Sequence, residues 1–278
     1  MKRAGVIGWP VAHSLSPVLH GYWLKQYGID GSYEKIPAAP EDFAATIQRL
    51  RAEGYAGVNV TVPHKEAAFA LAQIDDDATR IAGAANVLIF EPEGIRGINT
   101  DAYGLMTTLF EEIGTLDRKG VVLLGAGGAA RGVLIALKAL GARHIHLLAR
   151  NPDRARSLTE NLVFPAGQVV TSGHIDSFQA IAADIQLVVN ATSAGMGSNP
   201  PLDIDLSALP QDAAVCDIVY HPLETQLLKD AKARGHRTID GLGMLMHQAA
   251  PSFAAFFGPY PEVTPGLRTA LVEALGQR

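Results

Sequence analysis

The run Val121-Val122-Leu123-Leu124-Gly125-Ala126-Gly127-Gly128-Ala129-Ala130-Arg131 constrains this chain more than any other stretch. Four apolar residues in a row predict a strand buried on both faces. A glycine turn follows, and then Ala130, Val133, Leu134, Leu137 and Leu140 recur at the spacing of one helix face. Strand, turn and helix in that order are the context that a dinucleotide fingerprint requires. Gly125 permits the tight turn, Gly127 lets backbone come close to a pyrophosphate, and the small Ala130 packs helix on strand. The positive end of the helix would then face the phosphates. An ordinary βα turn made of small residues shares the pattern, so the choice of nucleotide has to be argued separately.

The next strand reads His144-Ile145-His146-Leu147-Leu148-Ala149, with Arg150 and Asn151 at its carboxyl end and Arg154 one turn further on. An NAD site would place an acid here for the ribose 2′-OH. A guanidinium fork suits a 2′-phosphate instead. The reading is therefore NADP, although Arg154 alone could equally be a solvated helix residue.

A chain of 278 residues suggests two domains. With 48% hydrophobic residues it can bury substantial cores, and a net charge of −5 argues against a nucleic-acid surface or a polybasic membrane anchor. One cysteine, Cys216, allows no internal disulfide and fits a reducing, cytoplasmic setting. No apolar run reaches transmembrane length, and the opening Met1 to Pro10 is too short for a signal h-region. His144 and His146 alternate on a strand without nearby acid or thiol ligands, so no metal is expected.

Along the chain, residues 4–8, 32–36 and 57–62 read as strands, with helices from Ser16 to about Tyr27 and from Glu41 to about Glu53. Ser16-Pro17 has the form of an N-cap followed by a first helical proline, whereas Ser14 has no such local role. Pro63 is expected at the first position of another helix, which puts Lys65 in its first turn. The helix dipole disfavours a cation there, so Lys65 is either a solvated residue or one kept for proton transfer. Asp75-Asp76-Asp77 reads as an acidic helix start, and 84–90 and 95–98 as a hairpin around Glu91-Pro92-Glu93-Gly94. Asp101 opens a helix and could be only its cap. Strands near 121–124, 144–149, 167–171, 186–190 and 214–218 then alternate with helices, as in a doubly wound sheet. Loops 190–196 and 217–225 leave the carboxyl ends of its later strands, where ligands bind in such sheets. Gly241 to Phe253 reads as an apolar helix that Pro251 should kink or strip of one bond; Gln248 on it is satisfied in the core or faces a ligand. A last helix runs from about Pro265 to Leu275.

Taken in order, Ser14-Leu15-Ser16-Pro17, Asn59-Val60-Thr61-Val62-Pro63-His64-Lys65, Asn86, Asn99-Thr100-Asp101, the Gly125 loop, Asn190 to Met196, Asp217 to Thr225 and Gly241 to Phe253 resemble the shikimate dehydrogenase family. The resemblance covers nearly the whole chain. It implies an α/β chain in which 1–101, joined by helices from 240–278, is the substrate domain and 102–239 a Rossmann-type NADP domain. It implies reversible NADPH reduction of 3-dehydroshikimate to shikimate in aromatic amino-acid biosynthesis, by a cytoplasmic monomer or homodimer with no nucleic-acid or membrane partner. Lys65 and Asp101 match the family's catalytic pair, with Lys65 donating the proton and Asp101 holding its ammonium. Ser14 and Ser16 match its carboxylate-binding serines, and Thr61, Asn86, Tyr220 and Gln248 its other substrate contacts. Gly125, Ala126, Gly127, Gly128, Ala129, Arg150, Arg154, Ile218 and Gly241 match the cofactor site, with Asp77 a weaker candidate. One departure stands out: the family reads Asn-Arg-Thr where this chain has Ala149-Arg150-Asn151, which bears on its adenosine contacts. Two rivals remain, a quinate/shikimate dehydrogenase with broader substrate or cofactor use and a non-catalytic NADPH sensor.

Overall fold

The computed structural model describes residues 1–116, 119–160 and 167–276. The chain divides into two compact units, one of Met1–Thr100 with Met246–Arg278 and one of Asp101–Leu245.

In the first unit the chain runs through β1 (Lys2–Gly8), α1 (Ser16–Gln26), β2 (Gly31–Pro37), α2 (Phe43–Ala52), β3 (Gly57–Val60), α3 (Lys65–Leu71), α4 (Asp77–Ala82), β4 (Val87–Phe90) and β5 (Ile95–Ile98). The five strands form one sheet in the order β2-β1-β3-β4-β5. β1 is parallel to β2 and β3, while β3-β4 and β4-β5 are antiparallel. The period of two along each strand sorts its residues between faces. Ile7, Val58 and Val60 pack with Phe43, Ile47 and Leu50 of α2. The hairpin turn at Glu91 to Gly94 closes with two backbone hydrogen bonds, 2.9 and 3.3 Å.

Two expectations at the ends of elements are corrected here. Ser16 is the first helical residue of α1, not its cap. Ser14 is the residue with a local role, since its Oγ accepts the Ser16 N–H at 3.3 Å. α3 begins at Lys65 with His64 before it, so Pro63 lies outside the helix. β3 is shorter than expected because the chain turns at once, with His64 N–H donating to the Thr61 carbonyl at 3.0 Å.

The second unit runs through α5 (Asp101–Ile113), β6 (Gly120–Leu124), α6 (Gly128–Ala139), β7 (His144–Ala149), α7 (Pro152–Glu160), β8 (Val169–His174), α8 (Phe178–Ile181), β9 (Ile185–Asn190), β10 (Ala214–Asp217), α9 (Gln226–Ala233) and β11 (Arg237–Ile239). All six strands are parallel, in the order β11-β10-β9-β6-β7-β8. Numbered within the unit, that is the 3-2-1-4-5-6 order of a doubly wound nucleotide fold, whose strand order reverses between β6 and β9. The apolar face expected of α6 is buried, Ala130, Val133, Leu134 and Leu137 completely. They pack with Val121 and Leu123 of β6 in one core.

α10 (Gly241–Phe257) carries the unit boundary within it, and α11 (Pro265–Gly276) belongs to the first unit. Pro251 lies inside α10 without ending it. Its ring nitrogen has no proton to donate to the His247 carbonyl, as expected. A Cβ built on Gly57 would fall 2.5 Å from Phe256 Cε1, so a glycine on β3 is what lets α10 lie so close to the sheet. No helix among the described residues is long and apolar enough to cross a membrane.

Candidate functional site

Within the first unit, topology collects polar residues at one edge of the sheet. The carboxyl ends of β1 and β3 lie there because the two strands are parallel. β4 runs the other way, so Asn86, just before it, arrives at the same edge, and β5 delivers Asn99 and Thr100 there. Ser14, Ser16, Thr61, Lys65 and Asn86 therefore share this edge although 72 positions separate the first from the last.

Each is held by the backbone around it. Thr61 N–H donates to the Ile7 carbonyl at 2.9 Å. A Cβ on Gly8 would come within 2.4 Å of Thr61 Cγ2, so only glycine fits beside it. The buried His64 ring stacks on Phe43 at 4.6 Å and its Nε2 lies 2.9 Å from the Ala38 carbonyl, which fixes the turn that presents Lys65. The Lys65 carbonyl in turn accepts the Ala85 N–H at 2.9 Å. Next along the chain, the Asn86 amide grips Thr100, the residue before Asp101: Oδ1 accepts the Thr100 N–H at 2.8 Å and Nδ2 donates to its Oγ1 at 3.0 Å. The dipeptide Ala85-Asn86 thus links the backbone of one predicted catalytic residue to the immediate neighbour of the other.

Gln248 lies on α10, and its Oε1 is buried with no hydrogen-bond partner among the described residues. A buried acceptor left open in this way suits a ligand hydroxyl. Asp77 plays a more local part: it opens α4, pairs with the exposed Arg80, and follows Asp76, whose carboxylate caps the helix through the Thr79 N–H at 2.7 Å.

In the second unit, Gly125 sits at φ +104°, a conformation that favours glycine, and a Cβ there would fall 2.7 Å from Thr192 Cγ2. It is the turn glycine in fact. Gly127 and Gly128 face open space, since a Cβ at either would meet nothing within 4 Å. Ala126 belongs to the turn and Ala129 to the first turn of α6. Open space beside backbone N–H groups at the start of a long helix fits a pyrophosphate. Arg150 directly follows β7 and, like Arg154, is exposed; neither guanidinium has a partner among the described residues. Asn151, where the family has threonine, caps α7: its Oδ1 accepts from the N–H groups of Asp153 and Arg154 at 3.0 and 3.2 Å. Asparagine and threonine are both good caps, so the change leaves the arginine's mount intact.

The loop after β10 is tied to the loop after β9 through Asp217. Its carboxylate accepts from Thr225 Oγ1 at 2.7 Å, Asn190 Nδ2 at 3.1 Å and Val219 N–H at 3.0 Å. Burial still raises its carboxyl above the ordinary value, with those three donors pulling the other way. This network fixes where Ile218 and Tyr220 leave the sheet. Gly241 closes the loop from behind, for a Cβ on it would fall 2.2 Å from the Ile218 carbonyl oxygen. Asp101 begins α5, is 9% exposed, and has its Cβ 3.5 Å from the position a Cβ on Gly132 of α6 would take. A carboxylate at a helix start is favourably placed in the helix field.

Residues without an assigned role in the sequence reading also belong here: Tyr33, Asn59, His64, Thr100, Asp217 and Ser252. Asn59 and His64 stand in a motif already singled out, but only the sheet register shows what they touch. Burial pushes the Tyr33 phenol well above its ordinary value, against a hydrogen bond from the Ser16 hydroxyl.

A reversing parallel sheet with a glycine turn at its switch point, joined in one chain to a smaller mixed sheet with a polar edge, defines a two-unit α/β oxidoreductase of the dinucleotide-dependent class. Family models agree. One for the shikimate dehydrogenase substrate binding domain matches residues 6–88, and one for shikimate / quinate 5-dehydrogenase matches residues 108–197. The chain is 48% identical to shikimate dehydrogenase (NADP(+)) of Methylobacterium radiotolerans, over 98% of this chain and 97% of that one. Shikimate 5-dehydrogenase from Thermus thermophilus, solved with NADP(H) and shikimate, superposes with a TM-score of 0.82 at 33% identity, covering 100% and 99% of the two chains. Quinate dehydrogenase from Corynebacterium glutamicum, solved with NAD, gives 0.89 at 29% identity, covering 98% and 99%. The chain belongs to the shikimate dehydrogenase family.

Proposed function

We propose that Lys65 and Asp101 are the catalytic pair with which this chain reduces 3-dehydroshikimate to shikimate, reversibly and with NADPH. The chain is an NADP-dependent oxidoreductase of its family, acting in the chorismate route to aromatic amino acids. The substrate is a small cyclic acid with several hydroxyls. Ser14 and Ser16 offer neutral donors to the carboxylate, and Thr61, Asn86, Tyr220 and Gln248 suit the alcohols because their side chains both donate and accept. When bound, NADPH supplies the hydride. The protein itself has one proton to deliver. The Lys65 ammonium donates it to the ketone oxygen as negative charge develops there, and recovers it from solvent afterwards. Asp101 balances the ammonium charge. Gly125 to Ala129, Ile218 and Gly241 hold the dinucleotide, Arg150 and Arg154 its 2′-phosphate, and Asp77 is a peripheral contact. The first unit serves as the substrate domain and the second as the nucleotide domain, in a cytoplasmic enzyme that works as a monomer or homodimer.

The observation that carries this reading is the hydrogen-bonded dipeptide Ala85-Asn86, which fastens Lys65 on one side and Thr100, the neighbour of Asp101, on the other. The test is NADP reduction with shikimate, run with Lys65→Ala and Asp101→Asn. Lys65→Ala is expected to lower kcat about 100-fold or more with KM little changed. A large rise in KM at unchanged kcat makes Lys65 a binding residue instead. The likeness to a quinate dehydrogenase solved with NAD motivates parallel assays with quinate and NAD. Arg150, with Ala149 rather than an acid before it, favours NADP.

A further inference from the structure

We propose that Tyr33 is a positioning residue of the substrate site, acting through Asn59; this rests on the polar edge that holds Ser16, Thr61 and Asn86 being the substrate site, as argued above. Tyr33 pairs with Ala4 on β1, and Ala4 with Gly57 on β3, while Val6 pairs with Asn59. Positions two apart share a face, so Tyr33 and Asn59 project from the same side of the sheet with β1 between them. The small Ala4 leaves room for the phenol ring to reach over β1. Its hydroxyl donates to Asn59 Oδ1 at 2.7 Å, and its oxygen accepts the Ser16 hydrogen bond when no carboxylate is there to receive it.

Two further contacts determine what this does to Asn59. Ser252 Oγ lies 3.3 Å from the same Oδ1, and Asn59 Nδ2 donates to the Asn86 carbonyl at 3.4 Å. The amide oxygen is therefore occupied from within the protein. Asn59 is held as a donor, with its orientation set by Tyr33 rather than chosen by a ligand. Ser252 stands four residues after Gln248 on α10, so it lies on the same helix face.

The ring is held as firmly as the hydroxyl. His20, four residues after Ser16 on α1, stacks on Tyr33 with centroids 3.9 Å apart and planes 3° from parallel. His20 is wholly buried, and neither of its ring nitrogens has a hydrogen-bond partner among the described residues. Its contribution here is a flat face. One side of α1 thus supplies the ring that orients Tyr33 and, in Ser16, a hydroxyl beside the phenol oxygen.

Tyr33→Phe keeps the stack and removes only the hydroxyl. Its KM and its calorimetric Kd for shikimate are expected to rise about 10-fold, the worth of one hydrogen bond. Its kcat should stay within twofold and KM for NADP should be unchanged, with Tm lowered by only about 2–4 °C for the lost hydrogen bonds. In an Asn59→Ala background the same change should cost less than threefold, because the partner it orients is gone. Unchanged shikimate affinity in Tyr33→Phe overturns the proposal. So does an equal loss in both backgrounds, or a larger fall in Tm with kcat and both KM values moving together, which marks a merely structural residue. A wild-type chain that fails to reduce NADP with shikimate overturns the functional reading instead.

Discussion

Asn86 and Thr100 are joined twice, amide oxygen to backbone N–H at 2.8 Å and amide nitrogen to hydroxyl at 3.0 Å, and both residues are buried. The bond couples the strand start that abuts Lys65 to the last residue before Asp101. Asn86 is therefore a structural clamp as well as a proposed substrate contact. Asn86→Ala should destabilise the fold by about 2 kcal/mol, because it strands a buried N–H. Asn86→Asp, which retains the acceptor for that N–H, should cost less. Urea unfolding of the two variants checks the order; equal midpoints for Asn86→Ala and wild type would remove the clamp.

The two glycines of the turn after β6 should respond differently to a methyl group. Gly125→Ala forces an L-residue into φ +104° and brings Cβ against Thr192, so a stability loss of roughly 1–3 kcal/mol is expected. Gly127→Ala meets no protein atom within 4 Å and should unfold within about 0.5 kcal/mol of wild type. Its NADP affinity should nevertheless fall about 10-fold, because the space it fills is the proposed pyrophosphate seat. Thermal melts with and without NADP separate the two effects, and undiminished NADP binding by Gly127→Ala would place the phosphates elsewhere.

Arg150 follows β7 directly on a helix cap supplied by Asn151. Arg150→Ala should raise KM for NADP about 30-fold, the loss of a charge-assisted contact of roughly 2 kcal/mol, and leave KM for NAD unchanged. The ratio of kcat/KM for the two cofactors is the readout, and a parallel loss with both would remove Arg150 from the 2′-phosphate.

His20 carries a pH dependence with a definite sign. Burial pushes its imidazole from 6.5 down to about 3. Between those values the unfolded chain takes up a proton that the folded chain refuses. The stabilisation is complete above pH 6.5 and is lost as pH falls towards 3. His20→Phe keeps a flat ring beside Tyr33 and removes the titration. The stability of the variant relative to wild type should therefore improve on acidification, by roughly 3 kcal/mol between pH 7 and pH 4. Denaturant unfolding across that range decides it, and parallel curves would mean that His20 is protonated in the fold.

What could be read from the chain alone was local. The β6 strand, its glycine turn and α6 declare themselves in some twenty consecutive residues, because burial of a central parallel strand and of one helix face each leaves its own periodicity. The motifs that carry Ser14, Lys65 and Asp101 each occupy a few adjacent positions. The sequence shows Asn151 only as a departure that bears on adenosine contacts, and its role as the cap of α7 comes from the structure.

Tertiary structure alone decided which of these residues are neighbours. Tyr33 joins Asn59 because β1 separates β2 from β3 and carries a small residue between them, and Asn86 joins Thr100 because β4 and β5 are antiparallel. Asp217 holds the loop of Ile218 and Tyr220 because β10 lies beside β9. Such contacts depend on strand order and register, which arise from packing summed over the sheet and leave no period in any one segment. Residue types set the chemistry available, and the pairing of strands determined where it was spent.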